Sequence, residues 1–248
     1  MKIALIDSGL GLLSAAAALR GLRPDADLVL STDPDGMPWG PRTPAGITER
    51  ALACARVAAE LQPDALIVAC NTASTHALEA IRAELEPDIP VIGTVPAIKP
   101  AASAGGPVAI WATPATTGSA YQRDLIRDFA AGVEVAAIAC PGLAEAVERA
   151  DADAVAQAVA AAAALTPPGT RSLVLGCTHY ELLDDLIRAA VPGPTLFGSA
   201  PAVAGQALRR AAPAAVAAQG NGTLLVLRTG RKEELPPEAL TYPEGRAL

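Results

Sequence analysis

An α/β protein built on parallel sheets is what this 248-residue sequence predicts. Short runs of Val, Ile, Leu and Ala alternate with Ala-rich stretches of helical spacing, an order that calls for parallel strands covered by helices. Two of those runs share one construction. Ala65-Leu66-Ile67-Val68-Ala69-Cys70 and Ser172-Leu173-Val174-Leu175-Gly176-Cys177 each end in cysteine and pass at once into small polar residues. The composition is 51% apolar and 3% aromatic, which suits Ala-faced helices packed on branched strands. A chain of this length buries one large core or two small ones, and the repeated strand ending favours two halves.

Ile3 to Ile6 is the first strand, closed by Asp7-Ser8-Gly9, and Leu13 to Leu22 follows as a helix. Asp27 to Leu30 reads as the second strand. The stretch from Ser31 to Pro44 holds Gly36, Pro38, Gly40, Pro41 and Pro44 and has to be a loop. Ile47 to Leu61 reads as helix, Ala65 to Ala69 as strand, Thr75 to Leu85 as helix and Pro90 to Gly93 as strand. The Ala/Ser/Gly/Pro-rich segment from Ile98 to Gly106 marks a junction near residues 95 to 105. Val108 to Ala112 opens the second half as a strand. A hydroxyl-rich loop from Thr113 to Ser119, a helix from Tyr121 to Phe129, a strand from Val133 to Ala139 and a mostly helical stretch from Leu143 to Ala164 come next. Pro167-Pro168-Gly169 stops the chain before the Cys177 strand. Helices from Leu182 to Ala190 and Ala202 to Ala212, and a strand from Thr223 to Leu227, complete the alternation. Arg231 to Leu248 is charged and proline-rich and is expected to be a surface extension.

A cysteine at the carboxyl end of a strand and just before a helix stands where open α/β sheets place their ligands. Helix N-termini there favour anions and make thiolate accessible near neutral pH. A lone strand-end cysteine is most simply a small core residue; two with matching polar followers describe a two-thiol acid/base site. The net charge of −7 and the pI near 4.9 argue against nucleic acid or an anionic membrane as a partner. Cys54, Cys70, Cys140 and Cys177 form no CxxC pairing, and His76 and His179 are the only imidazoles, so neither a metal site nor a redox dithiol is expected. The start of the chain has no signal-type apolar region and no stretch reads as a membrane span, so a cytoplasmic protein with reduced thiols is expected.

Six motifs in order then resemble one family. They are Asp7-Ser8-Gly9, Pro38-Trp39-Gly40, Cys70-Asn71-Thr72-Ala73-Ser74, the pair Thr113 and Thr116, Cys140-Pro141 with Glu148, and Gly176-Cys177-Thr178-His179-Tyr180. Together they are similar to the glutamate racemases of the aspartate/glutamate racemase superfamily, from residue 3 to about residue 227. The resemblance implies two pseudo-symmetric α/β domains with the active site in the cleft between them. The expected domains are residues 1–95 with Cys70 and 96–204 with Cys177, with 205–248 returning to the first domain and ending in a surface tail. It also implies a cofactor-independent enzyme that supplies D-glutamate for peptidoglycan.

On this resemblance Cys70 acts on D-glutamate and Cys177 on L-glutamate, one thiol on each face of the α-carbon. Asp7 is expected to tune or relay protons for Cys70, and His179 with Glu148 for Cys177. Asn71, Thr72 and Thr178 are expected to hold the substrate carboxylates, with Ser8, Trp39, Gly40 and Thr116 recognising the remaining polar groups and Asp7 and His179 lining the same site. The expected partner is a small amino acid, with a homodimer left open as the assembly. The chain departs from the family pattern at Leu12 for glycine, Trp39 for tyrosine, Glu181 for proline and Gly198-Ser199 for Asp-Ser. These departures keep open a racemase or isomerase of aspartate or another small acid, and a binding relative without turnover.

Overall fold

A computed structural model of the chain describes residues 1–215 and 220–248. The chain divides into two compact units, Met1–Val95 with Ala200–Leu248, and Pro96–Ser199. The first begins with β1 (Lys2–Asp7), a 3-10 turn at Leu10–Leu12, α1 (Leu13–Leu22), β2 (Asp27–Thr32), α2 (Pro44–Ala59) and β3 (Ala65–Val68). It continues with α3 (Asn71–His76), α4 (Leu78–Leu85) and β4 (Val91–Gly93). Pro44 occupies the first turn of α2, where its missing N–H costs nothing, and the Thr43 side chain caps that turn by accepting from the Gly46 amide at 3.2 Å.

The second unit holds α5 (Ile98–Ser103), β5 (Val108–Ala112), α6 (Ala120–Phe129), β6 (Val135–Ala139), α7 (Leu143–Glu148), α8 (Ala152–Leu165) and β7 (Ser172–Leu175). A 3-10 turn at Thr178–Leu183, α9 (Asp184–Ala190) and β8 (Thr195–Phe197) complete it. The chain then returns to the first unit through α10 (Ala200–Ala215), β9 (Leu224–Arg228), β10 (Arg231–Glu233), a 3-10 turn at Pro237–Thr241 and α11 (Pro243–Arg246).

Each unit is organised by its own sheet. The first has six strands in the order β10-β9-β2-β1-β3-β4, the second four in the order β6-β5-β7-β8. Every pairing is parallel except that of β9 with β10. β3, β5 and β7 are buried along their whole length, as unbroken apolar runs covered on both faces must be. Among the described residues no helix is long and apolar enough to cross a membrane.

The division between the units falls between Val95 and Pro96, and the segment after it is ordered as α5, with Ile98 and Ala101 fully buried. Other expectations are corrected. The helix read from Thr75 to Leu85 is two helices meeting at Ala77, and the first starts at Asn71. Its hydroxyls bond backward, Ser74 Oγ to the Val68 carbonyl at 3.2 Å and Thr75 Oγ1 to that of Asn71 at 2.9 Å, and so compete with a continuous helix. The mostly helical stretch from Leu143 to Ala164 is two helices: the first ends before Ala150, which takes φ +49°, and the second starts where Asp151 accepts from the Ala154 amide at 3.0 Å. A further short strand, β8, forms at Thr195–Phe197 after the Pro192-Gly193-Pro194 turn. The tail is not a mere extension either: β10 pairs with β9, and Ala239 and Tyr242 are buried.

Candidate active site

The carboxyl edge of the first sheet gathers one group of functional side chains. Ile6 of β1 lies opposite Val68 of β3, and the Ala69 amide donates to the Ile6 carbonyl at 2.9 Å, so Asp7 and Cys70 leave adjacent strands at the same edge. Cys70 has extended backbone angles and precedes α3, whose amides start at Asn71. The turn is held from below. Ser74 Oγ and Thr94 Oγ1 both donate to the Val68 carbonyl, at 3.2 and 2.8 Å, and the Thr94 amide donates to Ser74 Oγ at 2.8 Å. These contacts satisfy a carbonyl that the end of β3 would otherwise leave buried and unpaired.

Asp7 is fully buried, and its Oδ1 accepts from the Ser8 amide at 2.6 Å and from Ser8 Oγ at 3.2 Å. Asn71 is buried and Thr72 half-buried. In the long loop Trp39 is 1% exposed and packs with Ile47, Ala51 and Cys54 in the core cluster that also holds Cys70. Its indole Nε1 donates to Asp33 Oδ2 at 2.9 Å, and Arg50 Nη1 donates to the same carboxylate at 2.9 and 3.1 Å. Gly40 follows, half-buried. Leu12 is buried in the 3-10 turn before α1.

The second sheet repeats the arrangement. Cys177 follows β7 with extended angles and precedes the 3-10 turn that carries Thr178 and His179. The Gly176 amide donates to the Trp111 carbonyl at 2.7 Å, and a Cβ on Gly176 would stand 2.8 Å from that same oxygen, so only glycine lets β7 leave the sheet there. Cys177 Sγ lies 3.9 Å from His179 Nδ1, and His179 Nε2 lies 3.1 Å from Glu148 Oε2. Both His179 and Glu148 are poorly accessible, with side chains 5% and 20% exposed. The helix break at Ala150 leaves Glu148 as the last residue of α7, where its carboxylate reaches the imidazole instead of solvent.

Around this chain of groups, Tyr180 Oη donates to the Cys140 carbonyl at 3.3 Å. Burial first, then the nearby Cys177 and Cys140, pushes the Tyr180 phenol well above its ordinary value, so it stays protonated and remains a donor. Burial also pushes the Cys140 thiol up to about 12. In the first unit burial, with Asp33 adding, does the same for Cys54, again to about 12. At the end of β5 the Thr113 and Thr116 hydroxyls pair at 3.2 Å; β5 neighbours β7, which brings Thr116 to the edge that bears Cys177.

The sequence-predicted residues thus fall into two groups. Asp7, Ser8, Trp39, Gly40, Asn71 and Thr72 gather with Cys70 in the first unit, and Thr116, Glu148, Thr178 and His179 with Cys177 in the second. Sequence reasoning passed over Asp33, Ser74 and Thr94 as supports. Asp33 stands six residues before Trp39 in the same loop, and Thr94 directly follows a strand, so both positions carried a readable signal.

The chain as a whole is similar to known proteins. The sequence model of the Asp/Glu/hydantoin racemase family matches residues 12–207. A glutamate racemase of Roseiflexus sp. (strain RS-1) is 39% identical over 208 residues, covering 82% of this chain and 76% of that protein. The glutamate racemase of Escherichia coli O157:H7 is 36% identical over 257 residues, covering 97% and 88%. Among solved structures, E. coli glutamate racemase in complex with L-glutamate and the activator UDP-MurNAc-ala superposes with a TM-score of 0.84 at 31% identity, covering 96% of this chain and 91% of that one. The Thermus thermophilus glutamate racemase in complex with β-chloro-D-alanine gives a TM-score of 0.73 at 29% identity, covering 99% and 92%.

Proposed function

The chain belongs to the Asp/Glu/hydantoin racemase family, and from that premise we propose that it interconverts L- and D-glutamate by passing the α-proton between the thiols of Cys70 and Cys177. The α-hydrogen of an amino acid is a very weak acid, and inversion needs a base on one face of the carbon and an acid on the other. Each unit contributes one cysteine at a strand end. The observation that carries the reading is the sequence of contacts from Cys177 Sγ to His179 Nδ1 and from His179 Nε2 to Glu148.

An ionised Glu148 accepts from Nε2–H and leaves Nδ1 with its lone pair toward the sulfur. Nδ1 then takes the thiol proton and Glu148 stabilises the imidazolium, which leaves Cys177 as thiolate. That thiolate removes the α-proton of L-glutamate, and the electron pair of the C–H bond stays on the substrate as a carbanion delocalised into its carboxylate. The Cys70 S–H delivers a proton to the opposite face, and D-glutamate leaves with the two sulfurs in exchanged ionisation states. In reverse Cys70 is the base, with the buried Asp7 as its neighbouring carboxylate. Both acid/base groups are side chains, so the proposed chemistry uses no cofactor.

The amides that open α3 and the 3-10 turn, with Asn71, Thr72 and Thr178, are proposed to bind the carboxylates and stabilise the developing charge. Ser8, Gly40 and Thr116 serve the remaining polar groups. Trp39 takes part through its backbone, because its indole N–H is engaged by Asp33. The proposal places the enzyme in the cytoplasm, where its free cysteines stay reduced, and gives it the supply of D-glutamate for peptidoglycan. The net charge of −7 argues against nucleic-acid or membrane partners.

The test is proton NMR in D2O with L-glutamate, D-glutamate and both aspartates offered separately to wild type, Cys70→Ala and Cys177→Ala. Exchange of the α-hydrogen with inversion of glutamate, lost in either variant, is the expected result. Exchange with aspartate alone moves the substrate assignment, and a folded, reduced protein that exchanges none of the four refutes the reading.

A further inference from the structure

Glu181 has no place in the proton chemistry, yet its carboxylate lies two residues beyond His179 in the same 3-10 turn. Glu181 Oε1 accepts from both the amide and the hydroxyl of Ser199, at 2.8 and 2.6 Å. Ser199 is 4% exposed and stands just past β8, the strand that pairs with β7 from Ser172 opposite Thr195 to Val174 opposite Phe197. The pair of hydrogen bonds therefore ties the turn that follows β7 to the end of the neighbouring strand. Gly198 makes this possible: a Cβ there would lie 2.7 Å from Glu181 Oε2 and 2.8 Å from its Cδ.

The rest of the turn is tied to other elements. Tyr180 Oη reaches the Cys140 carbonyl beyond β6, and His179 reaches Glu148 at the end of α7. Glu181 supplies the anchor on the β8 side, so Thr178 and His179 are held from both flanks of the sheet. A 3-10 turn has poorer internal hydrogen-bond geometry than an α-helix and depends on such outside contacts.

We infer that Glu181 is a positioning residue for the second half-site, one that acts through Ser199 to hold the His179 imidazole against the Cys177 sulfur. The inference rests on the racemase reading for its catalytic arm, but its geometric arm stands alone. Replacement by alanine frees the turn on the β8 side and lets His179 move relative to Cys177. Replacement by glutamine keeps an oxygen that accepts both Ser199 bonds.

The experiment compares wild type, Glu181→Ala, Glu181→Gln and Ser199→Ala. Expected is a fall in kcat of roughly 10- to 100-fold for Glu181→Ala, with a smaller rise in KM because Thr178, on the same turn, also holds substrate. A smaller fall is expected for Ser199→Ala, which keeps the amide bond, and near-wild-type turnover for Glu181→Gln. With α-deuterated substrate, the isotope effect of Glu181→Ala rises in the L-to-D direction and falls in the reverse. A general loss of folded protein would not divide the two directions.

The second readout needs no turnover: the rate of Cys177 alkylation by iodoacetamide in a Cys70→Ser background. Glu181→Ala changes that rate several-fold and Glu181→Gln restores it. Unchanged kcat, isotope effects and alkylation in Glu181→Ala overturn the inference. If wild type exchanges no α-proton, the racemase reading fails, and the alkylation arm alone decides whether Glu181 positions the turn.

Discussion

Four cysteines of one chemical type end in two different situations, and position in the fold divides them. Cys70 and Cys177 stand at strand ends before a helix and a 3-10 turn. Cys54 lies within α2 and Cys140 follows β6, and burial pushes both thiols up to about 12. A thiol with so high a value is almost wholly protonated near neutral pH, and thiolate is the nucleophile. Iodoacetamide applied to the native protein near neutral pH should therefore leave Cys54 and Cys140 unmodified, as peptide mapping by mass spectrometry will read. Appearance of label on either before global unfolding would contradict that assignment. The strand-end cysteines and the polar residues after them were legible in the sequence because chain neighbours suffice to place them. The orientation of Trp39 was not, since its indole is aimed by Asp33 and by an Arg50 drawn from another element.

Element boundaries decide which side chains meet. The break at Ala150 leaves Glu148 at the end of α7, beside His179. Asp151, an N-cap residue, carried that signal locally. Gly176 is a second boundary, where β7 passes the Trp111 carbonyl too closely for any side chain. Its neighbour there is rigid backbone, whereas the obstacle at Gly198 is a carboxylate that can swing aside. Gly176→Ala should cost about 1 to 3 kcal/mol and lower turnover by displacing Cys177, whereas Gly198→Ala should cost less stability. Urea unfolding of both variants checks the order, and equal losses would refute the contrast. The 3-10 character of Thr178–Leu183 was beyond sequence reasoning, because its ties run to Cys140, Glu148 and Ser199 in distant segments.

For the molecule as a whole, the returning C-terminal segment is what completes the first unit. Glu86 at the end of α4 accepts from the Val91 amide at 3.0 Å and from Arg210 Nη2 of α10 at 2.8 Å. The amide bond first, then the Arg210 contact, holds its carboxyl below the ordinary value although burial opposes this. A group whose folded value is lowered contributes stability above its unfolded value and loses it as pH falls through the folded one. Glu86→Gln should thus destabilise the protein near neutral pH and flatten the fall in stability below about pH 4, a change that thermal melts across pH will show; an unaltered acid limb would refute it. The tail makes the same point about return. Arg231-Lys232-Glu233 reads as solvated charge, yet it is the edge strand β10, and charged residues are how sheet edges are kept from pairing further. By itself the sequence determined the parallel α/β class, most strands and both strand-end cysteines, because apolar periodicity and turn residues act over a few neighbours. Tertiary structure alone decided that residues 231–233 add an antiparallel edge strand to the first sheet and that the Cys140 carbonyl and Ser199 tie the turn after Cys177, because those contacts depend on how separate segments pack.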